Sequence, residues 1–173
     1  IRFYEDIGIN AHINQFQNAT KKDSSANIKH NNTKKLENII LNEKKQEQVP
    51  LNEIDNIDEL ENLFKNYNGC NLKKTATNFV KFQGNEDADL LFIDGTPNTE
   101  EDKVGKSFVS AKGDLFGKML NAIDLRNEDI FIINAIPWRP PGTRYPPEED
   151  IKICRPFIFN LINLLKSKII VCL

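Results

Sequence analysis

The chain has only three cysteines, Cys70, Cys154 and Cys172, and no two stand at Cys-x-x-Cys spacing. That excludes a disulfide framework and a zinc finger, and makes a reducing cytoplasm the expected compartment. Long hydrophobic runs are missing too. None reaches the roughly 18 to 20 apolar residues that cross a bilayer, so no membrane span is expected. No basic start, apolar stretch and small-residue cleavage site marks a secretory signal. Charge of one sign is not in excess either: 23 Lys and Arg stand against 25 Asp and Glu, for a net charge of −2. Whole-molecule electrostatics therefore does not draw the chain to nucleic acid, and any such contact needs a local basic patch. The two histidines, His12 and His30, have no second ligand at metal spacing and receive no role.

Large aromatic rings are absent between Phe16 and Phe64. The stretch 14–50 is rich in Asn, Lys and Gln and cannot bury enough surface to offset its chain entropy, so it reads as a disordered polar linker. A transient helix near Lys34 to Lys45 is the most it offers, and its lysines read as solvated rather than as a nucleic-acid arm. The first residues, 1–13, place apolar side chains at helical spacing and predict a short helix. The chain opens on Ile1 and closes at Leu173 inside an apolar run, which is expected of a piece of a longer protein.

From residue 51 the pattern changes. Ile54, Ile57, Leu60, Leu63 and Phe64 recur at helical spacing and predict a helix ending near Asn66 to Gly69. Asp89 to Asp94 and Asp129 to Ala135 are short, nearly continuous apolar runs, as in buried strands, and Ile169 to Leu173 is a third; Cys172 reads as one of its buried residues. Between the first two lies a helical pattern over about Gly113 to Ile123, with Leu115, Phe116, Met119, Leu120 and Ile123 on one face. Pro146-Pro147-Glu148-Glu149-Asp150 puts proline and acid in a first helical turn, and that helix runs to about Leu165. Strand, helix, strand, helix, strand predicts an α/β fold over 51–173, three layers α/β/α around a short parallel sheet, incomplete at its C-terminus. Ligands in such folds bind outside the carboxyl ends of the strands, here the loops after Ile93 and Asn134.

Three segments stand out beyond periodicity: Asp94-Gly95-Thr96-Pro97 with Glu101-Asp102, Gly105-Lys106-Ser107-Phe108-Val109, and Asn134 through Pro137-Trp138-Arg139-Pro140-Pro141-Gly142-Thr143-Arg144. In order and spacing they resemble the uracil-DNA glycosylase superfamily, most closely its type-4, bacterial and archaeal branch. There a strand leads into Gly-Glu-Ala-Pro-Gly and Glu-Asp, a Gly-x-Pro-Phe-Val-Gly segment follows, and a second strand ends in Asn before Arg-Pro-Pro-Gly-Asn-Arg. Upstream, Gly69-Cys70-Asn71-Leu72 looks like the family's Cys-x-Leu segment.

The resemblance implies specific roles. A glycosylase flips its target nucleotide into a pocket. Phe108 would stack on the uracil and Asn134 would read its edge, because one amide both donates and accepts. Core packing is the competing role for Phe108, and loop capping for Asn134. Gly95, Thr96 and Pro97 hold the positions of the family's catalytic loop, but Gly95 stands where the family has its Glu and Asp94 where it has a glycine. Glu101 and Asp102 remain, with surface acids opening a loop as the plain alternative. The family's later His-Pro segment would lie beyond Leu173. Arg139 and Arg144 flank a stiff Pro-Pro-Gly turn suited to DNA phosphates, with Lys73 and Lys74 as further candidates; a solvated loop is the other reading. The family's iron–sulfur cluster takes four thiolates. Cys70 and Cys154 match two of them, while Tyr67 and Trp138 occupy the other two positions, so no cluster and no metal is expected. Packing beneath the loop is the expected place of Trp138.

The resemblance thus implies a monomeric, cytoplasmic protein of base-excision DNA repair that releases uracil from single- or double-stranded DNA by hydrolysis. Inactivity or weak activity is expected of this chain. A non-catalytic DNA-binding module and a functionless gene fragment are the alternatives.

Overall fold

A computed structural model describes residues 54–173; the expected helix over 1–13 and the linker over 14–50 lie outside the described residues. The first helix among the described residues, α1 (Ile57–Asn66), starts where Asn56 accepts a 2.7 Å bond from the Glu59 N–H, and it buries Ile57, Leu60 and Phe64. The three expected strands form, as β2 (Leu90–Asp94), β3 (Ile130–Asn134) and β4 (Ile169–Cys172). A fourth was not legible: β1 (Gln83–Gly84), two residues long, pairs antiparallel with β3.

The sheet order is β1-β3-β2-β4, with β2 parallel to both β3 and β4. The three expected strands are parallel, and the two-residue β1 adds an antiparallel edge that makes the sheet mixed. Two residues are too few to leave an alternating pattern. What pins them is Gly84, at φ 118° with the Ile130 carbonyl 2.2 Å from where a Cβ would stand, a place no side chain fits.

Alternation along the strands sorts the core into the three expected layers. Leu91, Ile93, Phe131 and Ile133 face α1 and the long helix α4 (Glu148–Leu165). Phe92, Ile130 and Ile132 face α3 (Ser110–Asn121), which follows the short helix α2 (Thr99–Val104). The connection from β2 to β3 and the return across β2 to β4 thus run on opposite faces. The two connections diverge at the carboxyl ends of β2 and β3, the place where folds of this kind put their ligand crevice.

Three expectations need correction. The α3 helix begins at Ser110 rather than Gly113 and buries only Phe116 and Leu120 of the predicted face; Leu115, Met119 and Ile123 are exposed. Helical spacing identified the stripe, but its width exceeds what one sheet face covers. Strand β4 sits at the sheet edge, so Ile169 and Leu173 are half-exposed. Cys172 is exposed for the same reason, not buried. No helix among the described residues is long and apolar enough to cross a membrane.

Candidate functional site

The crevice is set by register. Asp94 ends β2 and Asn134 ends β3 as direct parallel partners, and the ladder runs on through Ala135 N–H to the Asp94 carbonyl (2.8 Å) and Ile136 N–H to the Gly95 carbonyl (3.2 Å). The Asn134 side chain is buried, and both ends of its amide are engaged. Its Nδ2 donates to Asp94 Oδ2 at 3.3 Å, and its Oδ1 accepts from the Ser107 hydroxyl at 2.5 Å. A carboxylate only accepts, so the NH₂ end must face Asp94 and the amide orientation is fixed. Gly95 and Thr96 are half-buried just beyond, and Pro97 is buried.

The acids after this loop are not surface groups. Glu101 and Asp102 are both buried, which removes the alternative of loop-opening surface acids. Helix α2 turns them to opposite sides. Glu101 Oε2 accepts from the Asn98 N–H (2.9 Å) in a capping box, and its Oε1 accepts from the Phe108 N–H at 2.7 Å. Asp102 accepts from the N–H groups of Thr77 (2.9 Å) and Asn78 (3.1 Å) and from Arg139 Nε at 3.3 Å. Burial pushes the Asp102 carboxyl upward, but the Asn78 and Thr77 bonds, with Arg139, outweigh it and hold the group below the ordinary carboxylate value. Periodicity carried no signal for either acid, because a six-residue helix has no stripe to read.

Phe108 is half-buried, with its ring 4.2 Å from that of Phe116. Its φ is +51° and that of Ser110 is +57°, left-handed values that cost a non-glycine residue about 1 to 3 kcal/mol each. The bend is accommodated by Gly113, where a Cβ would stand 1.9 Å from the Phe108 carbonyl. It brings Lys112 into the crevice, a residue to which the sequence assigned nothing. The Lys112 ammonium pairs with Asp94 Oδ2 and, at 3.3 Å, with Glu101 Oε1. Burial pushes Lys112 down, yet Asp94 and then Glu101 more than offset this and raise its pKa above the usual value. A shallow cleft of about 320 Å³ adjoins it, between Asn98 and Thr99 on one side and Val109 and Ser110 on the other.

The expected basic residues divide. Arg139 is anchored by Asp102 and mostly buried, whereas Arg144 is exposed beyond the Pro141–Thr143 turn. Lys73 and Lys74 bond the side-chain carbonyls of Asn68 (2.9 Å) and Asn71 (3.1 Å), on the far side of the 75–78 segment from Asp102 in sequence.

The positions expected for a cluster lie elsewhere, between α1 and α4. Cys70 and Cys154 are buried, and the Cys70 thiol donates to Asp150 Oδ1 at 3.4 Å. Burial, with Cys70 and Asp150 beside it, pushes the Cys154 thiol well up, so it stays protonated at neutral pH. Trp138 packs edge-to-face on Phe64 with centroids 5.2 Å apart, and the Tyr67 ring lies 5.4 Å from that of Phe157. Two thiols backed by a carboxylate and two packed rings do not fit the four thiolates an iron–sulfur cluster requires. Asp150 read from the sequence as helix-opening acid alone; its bonds to Cys70 and to the Asn71 N–H (3.1 Å) were not legible.

Comparison with known proteins gives one consistent result. Residues 82–173 match the family model of the uracil DNA glycosylase superfamily. The chain is 39% identical over 104 residues to a type-4 uracil-DNA glycosylase of Archaeoglobus fulgidus, covering 60% of this chain and 52% of that protein. It is 36% identical over 121 residues to one of Saccharolobus solfataricus, covering 69% and 56%. With one of Pyrobaculum aerophilum it shares 32% over 117 residues, covering 68% and 60%. The chain spans between half and three-fifths of the length of these curated relatives.

Proposed function

This chain belongs to the uracil DNA glycosylase superfamily, and on that premise we propose that it acts on DNA in base-excision repair, by hydrolytic release of uracil. The observation that carries this reading is the buried Asn134 amide, oriented by Asp94 and Ser107 at the carboxyl ends of β2 and β3, with Phe108 next in the chain after Ser107. An amide fixed in this way keeps one N–H and one oxygen lone pair uncommitted, the donor and acceptor that the edge of a flipped base would need, and an aromatic ring supplies a stacking face. Arg144 and the free end of Arg139 are the proposed phosphate contacts. A monomer in the cytoplasm, without an iron–sulfur cluster, belongs to the same reading.

The proposed activity is weak. Bond cleavage needs a group to position water and dipoles to hold the leaving anion, and Gly95 supplies no side chain for either. Losing one such positioned group costs about 100- to 1000-fold. That same glycine favours the second reading, a DNA-binding module that does no chemistry.

The test is strand nicking of a uracil-containing single-stranded oligonucleotide after alkali, with the chain in excess. Slow release that disappears in Asn134→Ala and quickens about 100-fold in Gly95→Glu is the expected result. No release from either the parent or Gly95→Glu, with DNA binding intact, would establish the non-catalytic module instead.

A further inference from the structure

The Phe108 ring already carries two groups of the protein itself against it. The Phe116 ring lies 4.2 Å from the Phe108 ring, at 30° to its plane. The Lys112 ammonium stands 4.6 Å from the same ring centroid. Lys112 and Phe116 stand one turn apart on α3, and both lie against this one ring, the ammonium as a cation over its π face. The cap is pinned from two directions, by Asp94 at the end of β2 and by Glu101 of α2. Asp94 is also the carboxylate that orients Asn134, so the amide and the cap share one anchor.

We propose that Lys112 is a built-in occupant of the base-stacking face and thereby determines how strongly the site holds a base. This rests on the reading of Phe108 as the stacking platform. A flat base reaches the ring only when the Lys112 ammonium swings away, and it must break the Asp94 ion pair to do so. The adjoining cleft beside Asn98, Thr99 and Ser110 gives the side chain somewhere to go, with Glu100 at its margin. The side chain is about one-third exposed, so the exchange needs no unfolding of α3. Asp94 and Lys112 thus act together: the first stands where the resembling proteins have a glycine, and the second supplies the charge that a carboxylate there requires.

The experiment compares the affinity of a single-stranded oligonucleotide carrying one uracil with that of the same strand carrying a tetrahydrofuran abasic site. The ratio cancels phosphate contacts, including any lost with the lysine charge. In Lys112→Met the ratio is expected to rise about tenfold, the equivalent of one partly desolvated cation–π contact and its ion pair. Asp94→Asn keeps the lysine but also releases the Asn134 amide, so that variant is read by the lysine's chemical shifts and not by the ratio. In the free protein, ring current should shift the Lys112 ε-methylene protons upfield, and Asp94→Asn should return them toward random-coil values. An unchanged or lower ratio in Lys112→Met, or random-coil shifts in the parent, overturns the proposal. A raised ratio without uracil release leaves the cap standing and removes the excision reading; Asn134-dependent release with a lowered ratio does the reverse.

Discussion

On one face of the sheet, α1 and α4 close over a dry core in which Phe64 stacks on Phe157 at 4.1 Å and meets Trp138 and Phe79 edge-on. On the other face, α3 covers Phe92, Ile130 and Ile132 with little more than Phe116 and Leu120. The polar groups of the crevice gather at the rim of this thinner side: Asp94, Glu101, Ser107 and Lys112, all bonded to one another or to Asn134 and the Phe108 backbone. Burial per residue is what stabilises a fold, and a site that must open to a ligand cannot also be its most tightly packed part. The thick face carries most of the buried core, and the thin face carries the groups proposed to move.

The sharpest way to break this contrast is to cut a ring from each face. Trp138→Ala should cost about 4 kcal/mol, because its cavity is walled by Phe64 and Phe79 and cannot collapse, whereas Phe116→Ala should cost about 3 kcal/mol, where the half-exposed Phe108 ring can fall inward. Urea midpoints read the difference. Equal losses, or a larger one at Phe116, would mean that α3 is as firmly seated as α4.

Asp102 tests the seam between the two halves at an intermediate scale. Its carboxyl lies below the ordinary value in the folded chain, so the folded state binds this proton less readily than the unfolded one. The stabilisation is therefore fully present above the unfolded pKa, near 4, and is lost as pH falls through the lower folded value. Asp102→Asn should cost about 2 kcal/mol at pH 7 through its weakened bonds to Thr77, Asn78 and Arg139, and the variant should lose part of the parent's acid-side decline. Parallel stability curves for the two proteins between pH 6 and 3 would show that the carboxylate charge contributes nothing.

The central strands and α1 were the legible parts. Ile130–Asn134 announced itself as an unbroken apolar run because both of its faces are buried, and Ile57, Leu60 and Phe64 as a stripe because burial on one side leaves a period in the sequence. The motif segments fixed the neighbourhood of Asn134 and Phe108. Beyond that, the sequence was silent about Lys112, the bonds of Glu101 and Asp102, and the link of Asp150 to Cys70. Each depends on a residue far away in the chain or on an unfavoured backbone turn. Phe108 and Ser110 take left-handed φ values, which neither residue type signals, and without that bend Lys112 would not meet Asp94. The exposed side of α3 misled for the opposite reason, since its apolar spacing is real but nothing among the described residues covers it.

That exposed side supplies the smallest expected effect. Leu115 and Met119 stand at i and i+4 on α3, with relative exposures of 61% and 57%, and Ile123, just past the helix end, has 64%. Exchanging one of them for lysine removes almost no buried area and keeps a side chain with good helix propensity, so the transfer and cavity terms both vanish. Met119 is the cleanest choice: it lies two turns from Lys112 and away from the crevice network. Met119→Lys should shift stability by no more than about 0.5 kcal/mol in either direction and leave the affinity ratio for uracil over the abasic site unchanged. A loss approaching that of Phe116→Ala would mean that this side of α3 is covered in solution, and the thin face would then be thicker than its described core.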